Sequence, residues 1–207
     1  ALAAHYDPYE YGYLTLGPVF VVWNHRRPAL SDRRVRRALT MLFDREGLVE
    51  LRGFRAQPAP TWFLPDSPRA GTMRPLPHDV DQARELLEAA GHGDGLEIEV
   101  LVVSGIPEYE EIIDFAAPSF ARAGVRLVKK VVALPVLQER LESREFDGVV
   151  YAWFPDVFND PTEIYHSNQA SHNWMGYESA AMDLALERAR AELDEAARVE
   201  LYQEFNR

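Results

Sequence analysis

The sequence contains no cysteine among its 207 residues. That excludes disulfides, thiolate zinc sites and cysteine nucleophiles together, while leaving the compartment open. Long apolar runs are also missing: the longest, Val19–Trp23 and Val149–Phe154, are strand-length, far below the roughly 18–20 residues of a membrane helix. There is no charged segment followed by an apolar stretch, so no export signal is visible, and the chain opens at Ala1 as if entered in mid-protein. Basic residues are in deficit, 22 Lys and Arg against 33 Asp and Glu, for a net charge of −11. Nucleic acid is thereby an unfavourable partner, because phosphate backbones are bound by basic faces. Internal repeats and low-complexity tracts are absent too. What is present is 47% apolar and 11% aromatic, enough for a cored globular domain and too rich for disorder.

Hydrophobic spacing predicts alternating elements. Pro18–Trp23 reads as a buried strand, followed by a proline-containing loop from His25 to Ser31. Val35, Ala38, Leu39, Leu42 and Phe43 form the stripe of an amphipathic helix, with Ser31 or Asp32 as N-cap and Gly53 as terminator. Six prolines within 57–77 predict an irregular segment, anchored by Trp62, Phe63 and Leu64. Asp79 with Gln82 resembles a capping box opening a helix that Gly91 ends. Next come strand 96–103, helix 108–123 with Pro118 as a kink or restart, strand 125–132, helix 135–144 and strand 146–153. This order predicts an α/β fold, a mostly parallel sheet flanked by helices with right-handed crossovers. A polar loop then runs to Gly176, and two helices close the chain, striped by Met182, Ala185, Leu186, Ala189 and Leu193 and by Leu201 and Phe205.

Catalytic signatures are missing: no Gly-x-Ser-x-Gly elbow, Walker loop or His-Glu-x-x-His helix occurs. Gly91-His-Gly93-Asp-Gly95 follows a helix and precedes a strand, the reverse of a dinucleotide fingerprint, and reads as a helix stop. Glu163 and His166, near Asp160 and His172, are the nearest approach to a metal set; without a second ligand pair they read as a polar loop, and neither metal nor cofactor is expected. The segment Trp153-Phe154-Pro-Asp156-Val-Phe-Asn-Asp160-Pro161 carries most interest. It leaves a strand's carboxyl end, where open α/β sheets place ligand crevices, and mixes aromatics with carboxylates, the composition of a site for a cationic group against apolar walls. Asp160 before Pro161 reads as a turn starter.

Several of these segments together resemble the family-5 solute-binding proteins of ABC importers, the dipeptide- and oligopeptide-binding group. The resemblance rests on Asn24, Pro28 and Asp32-Arg-Arg-Val35-Arg36-Arg-Ala38-Leu39 through Phe43-Asp44-Arg45; on Asp79 through Gly91; on Trp153-x-x-Asp156 with Asp160-Pro161; and on Gly176-Tyr177, Asp183, Ala189, Asp194, Arg198, Leu201 and Tyr202. It implies a lobe of the periplasmic-binding-protein type II kind: residues 1–207 as the second large lobe of a two-lobed clam shell, with 1–24 in an inter-lobe hinge strand region. It also implies a non-catalytic importer component, located extracytoplasmically in the periplasm or as a cell-surface lipoprotein. Its partners would be a peptide or other small solute, the membrane permease subunits and an N-terminal lobe. Asp156 would pair with a peptide's α-ammonium, and Trp153, Phe154, Asn173, Trp174 and Tyr177 would line the site. The stretch from Asp156 to Pro161 is one residue longer than the family pattern, which leaves Asp160 as an alternative partner. Two other readings compete. The same lobe serves as the solute sensor of a transcriptional regulator, and Asp156 with Asp160 makes an acid/base pair, although no nucleophile or metal signature accompanies it.

Overall fold

The computed structural model describes residues 19–53, 56–152, 160–169 and 171–206. Among them, β1 (Val19–Trp23), β2 (Leu96–Val103), β3 (Val125–Val132) and β4 (Gly148–Ala152) form one sheet in the order β1-β4-β2-β3. β2 runs parallel to both β3 and β4, and β1 adds antiparallel to β4, pairing Trp23 with Gly148 and Val19 with Ala152. The sheet is therefore mostly parallel, as the alternation of elements predicted. Of the expected hinge region, 19–23 belong to this sheet as an edge strand; 1–18 lie outside the described residues.

Side-chain alternation divides the core. On one face, Val21, Trp23, Ile98, Val100, Val102 and Val150 pack beneath α2 (Arg33–Met41), α4 (Val80–Ala89) and α5 (Pro107–Arg122). On the other, Val22, Leu101, Val149 and Tyr151 meet Leu137 and Leu141 of α6 (Leu134–Glu142). The β2-α5-β3 and β3-α6-β4 crossovers thus cover opposite faces, as strand order and right-handed connections require. A separate cluster lies beyond the β1 edge. There α8 (Ala180–Ala191) and α9 (Glu195–Phe205) bury Leu186, Ala189, Tyr202 and Phe205 against Trp62, Phe63 and Ile164.

Local chemistry explains the boundaries. The carboxylate of Asp79 accepts from the backbone N–H of Gln82 at 2.8 Å; Asp79's own N–H donates to Met41 O at 3.2 Å, so only half of the anticipated capping box forms. Ser179 and Asp194 cap α8 and α9, and Gly91, at φ 88°, turns the chain after α4.

Five expectations are corrected. The predicted loop 25–31 contains a short helix, α1 (Pro28–Ser31), because Pro28 occupies a first-turn position where its missing N–H costs nothing. The helix expected from Asp32 to Gly53 is two, α2 and α3 (Arg45–Leu51): the Asp44 carboxylate takes the N–H of Gly47 at 2.9 Å and starts a new helix. Of the two alternatives at Pro118 the restart is excluded, because α5 is continuous over 16 residues; Pro118 faces solvent, where water can satisfy the carbonyl it leaves unpaired. Leu64 is 44% exposed while Trp62 and Phe63, in a bend of the chain, are buried. Leu193 is 92% exposed because it lies between α8 and α9, outside the helical period that seemed to include it.

Leu39 of α2 has no exposed surface and packs onto the sheet. Replacing it with Ala removes that contact and leaves a cavity, at a cost of about 2–5 kcal/mol. Denaturant unfolding of the protein is expected to show this loss. An unchanged unfolding midpoint would contradict the packing of Leu39.

Candidate functional site

The crevice favoured by the topology lies beyond the carboxyl ends of β2 and β4, the parallel pair at the middle of the sheet. Trp153, Phe154 and Asp156 leave that end of β4 and lie outside the described residues. The other three predicted residues, Asn173, Trp174 and Tyr177, belong to one loop packed alongside β1 and β4.

That loop is held by Asn173, 3% exposed. Its amide donates to Tyr177 O at 2.6 Å, and its Oδ1 accepts from Tyr177 N–H at 2.9 Å. The side chain is thus engaged with its own loop's backbone and fixes the turn that carries Trp174 and Tyr177. Trp174 stands edge-on to Tyr151, ring centroids 5.1 Å apart at 72°, and lies 6.3 Å from His172. Tyr177 meets His25 edge-on at 5.7 Å and Tyr165 at 6.4 Å.

Two adjoining cavities follow. One of about 170 Å³ runs along Phe20–Trp23 and is walled by Tyr151, His172 and Trp174. The other, of about 200 Å³, is walled by Thr61, Tyr177, Met182 and Phe205. Trp62 and Tyr165 line both. Phe20 stacks parallel on Trp62 at 5.8 Å, so the partition is built from rings. Sequence reasoning missed Tyr151, His25, Trp62 and Tyr165 as wall residues. The signal for Tyr151 is present in the alternation of β4, where it shares a face with Val149; Trp62 reads as an anchor of the proline-rich segment, and nothing local brings it to the β1 edge.

Electrostatically these walls favour neutral groups. Burial pushes the Tyr165 phenol up to about 12, with Tyr177 adding to the effect. Burial also raises Tyr151. The imidazole of His25 is lowered to about 4, first by burial and then by Arg36 and Arg26.

The polar loop considered for metal binding is structural in its contacts. Asp160 accepts from Thr162 N–H at 3.0 Å and Thr162 Oγ1 at 2.6 Å, opening α7 (Thr162–Tyr165) as the turn reading expected, and pairs with Arg190 at 3.1 Å. His166 faces Glu187 at 3.3 Å and Asp183 at 3.7 Å rather than Glu163 and His172. Among the described residues no three His, Asp or Glu side chains are grouped to hold a metal ion, and no helix is long and apolar enough to cross a membrane. The arrangement suits non-covalent enclosure of a solute by aromatic surface.

The sequence model of the bacterial extracellular solute-binding proteins, family 5 (middle), matches residues 3–176. The chain belongs to this family. It is 25% identical over 205 residues to the oligopeptide-binding protein AppA of Bacillus subtilis, covering 86% of this chain and 36% of that protein. It is likewise 25% identical over 199 residues to di/tripeptide-binding protein 2 of Pseudomonas aeruginosa, covering 89% and 36%. The solved structure of B. subtilis AppA in complex with a nonapeptide superimposes with a TM-score of 0.85 at 22% identity, over 94% of this chain and 42% of that one. The periplasmic-binding-protein type II-like lobe is thereby established as the fold. The family-5 chain described here spans about a third of the length of these curated relatives.

The low His25 value has a testable consequence. Between about pH 6.5 and about 4 the unfolded chain binds a proton at His25 that the folded chain does not, so this residue makes stability fall as pH drops through that window. An NMR titration is expected to show the His25 ring neutral until about pH 4. Titration near pH 6.5 would contradict its enclosure.

Proposed function

We propose that this chain is the second large lobe of the substrate-binding component of an ABC importer, closing with a second lobe on a peptide or related small solute and performing no chemistry on it. The observation that carries this reading is membership of the solute-binding family across residues 3–176, with relatives named as oligopeptide- and di/tripeptide-binding proteins. The protein would act outside the cytoplasm, deliver its solute to the membrane permease subunits, and use residues 1–24 as part of the hinge between lobes. The regulator reading gains nothing from these relatives, which are binding proteins.

Aromatic walls suit such a role. Trp174 and Tyr177 present flat apolar surface with a polar tip, which accommodates varied side chains without demanding a particular one. Specificity for a peptide's amino end then requires one carboxylate, because an unpaired cation enclosed away from water is strongly unfavourable. By the family resemblance that carboxylate is Asp156, flanked by Trp153 and Phe154. Asp160 is a poorer candidate, since it already serves Thr162 and Arg190.

Titration calorimetry on the full-length protein tests this. Asp156→Asn keeps the shape and removes the charge, and is expected to weaken binding of a free peptide by about 2–5 kcal/mol, the cost of truncating one partner of a buried charge pair. Asp160→Asn is expected to cost far less. N-acetylation of the peptide should lose comparable affinity for the unmutated protein and little more for the Asp156 variant. Equal binding of free and acetylated peptides would refute the pairing, and a larger effect at Asp160 would relocate it.

A further inference from the structure

The two cavities are built without charge. Among the described residues that line them, none is Asp, Glu, Lys or Arg. The one along β1 has Phe20, Tyr151 and Trp174 as ring walls and two imidazoles, His25 and His172, among its polar groups. His172 Nδ1 already has the Ser171 hydroxyl at 3.2 Å. The His25 ring touches Tyr177 edge-on, and its nitrogens make no hydrogen bond among the described residues. A polar ring thus faces an apolar cavity with its hydrogen-bonding capacity unused.

The setting of His25 is fixed by backbone contacts. Its N–H donates to Met175 O at 2.7 Å, so Trp174 and His25 are carried from neighbouring points of the structure. The turn that bears Trp174 is fastened to the same place: Arg144 donates from Nη1 to Asn173 O at 3.4 Å, and the Arg26 guanidinium lies over Gly176 in the space a Cβ would fill. Burial, then Arg36 and Arg26, keep His25 neutral at pH 7. It therefore offers one N–H and one lone pair, at a cavity end that the two arginines make electropositive.

We propose that this cavity is the subsite for a tyrosine side chain of the bound peptide, its phenol ring lying on Trp174 and its hydroxyl hydrogen-bonded to His25. The inference rests on the importer reading above and adds a preference to it. A cavity of about 150 Å³ suffices to hold benzene, so one of about 170 Å³ has room for a single aromatic side chain. Ring walls alone accept many side chains; the imidazole discriminates among them. A phenol hydroxyl both donates and accepts, so either tautomer of His25 serves it. Phenylalanine fills the same space but leaves the enclosed imidazole without a partner. Lysine and arginine side chains meet an electropositive end and no lining carboxylate, and an acidic side chain surrenders its hydration to uncharged walls.

Calorimetry of the full-length protein with Ala-Tyr-Ala, Ala-Phe-Ala and Ala-Lys-Ala is expected to rank them in that order, the first two separated by about three- to tenfold. His25→Phe keeps a ring against Tyr177 and removes the hydrogen bond, so it should erase the tyrosine preference and leave Ala-Phe-Ala binding unchanged. Equal affinity for the three peptides, or a tyrosine preference that survives in His25→Phe, overturns the subsite. The side-chain analogues p-cresol and toluene test the cavity without a peptide. By NMR, p-cresol should bind saturably, shift the His25 ring protons and outcompete toluene; this comparison decides the matter on the unmutated protein if His25→Phe does not fold. Tighter p-cresol binding at His25 with no peptide bound overturns the peptide reading alone. Peptide binding with p-cresol no better than toluene overturns the subsite alone.

Discussion

The buried side chain of Asn24 is the constraint on which the arrangement of this lobe depends. At 1% exposure, its amide donates to Arg144 O at 3.0 Å and Phe146 O at 2.9 Å, while its Oδ1 accepts from Arg26 N–H at 3.1 Å. Its backbone N–H adds a bond to Asp147 O at 2.8 Å. A buried amide with its donors and its acceptor matched is stable only in this geometry. It ties the end of β1 to the turn before β4, and so decides that β1 joins the sheet antiparallel, at the edge. Arg144, at φ 63°, is held in a backbone conformation unusual for a side-chain-bearing residue, and presents to Asn24 one of the carbonyls it needs.

From that junction two regions diverge. Antiparallel addition places the start of β1 beside the end of β4, so Phe20 and Tyr151 contribute rings to one aromatic wall. The same addition places the end of β1 beside the turn before β4, where Arg26, Arg27 and Arg144 assemble. Gly148 makes the junction close: a Cβ there would stand 2.6 Å from the Trp23 ring. Aromatic enclosure at one end and cationic density at the other are both consequences of how one edge strand is docked.

Beyond the β1 edge, α8 and α9 build a cluster that meets the sheet chiefly through Trp62, Phe20 and Tyr165. The proline-rich segment 57–77 is ordered by this cluster. Trp62 and Phe63 are buried in it, and Gln203 and Asn206 of the last helix and its end donate to the carbonyls of Pro68 and Arg69 at 2.8 and 2.7 Å. Proline spacing rightly marked this stretch as irregular, yet an irregular segment still satisfies its backbone when a helix reaches across to it.

The sequence by itself determined the element types, the alternation that makes a parallel sheet, and the cap at Asp79, because these follow from periodicities and hydrogen bonds spanning a few residues. It also carried the family, through motifs spaced along most of the chain. Local competition defeated it at Asp44, where a short-range cap divided an apparently continuous stripe, and at Leu193, where the stripe outran the helix. Of the residues expected to line a ligand site, Trp174 and Tyr177 stand on the walls of the two cavities, and Asn173 braces the turn that carries them. The joining of His25, Trp62, Tyr151 and Tyr165 into shared walls, and of Arg26 with Arg144 on one turn, was decided by tertiary structure alone. Those contacts join residues far apart in the chain, and no short-range pattern encodes which side of a sheet edge a distant loop will cover.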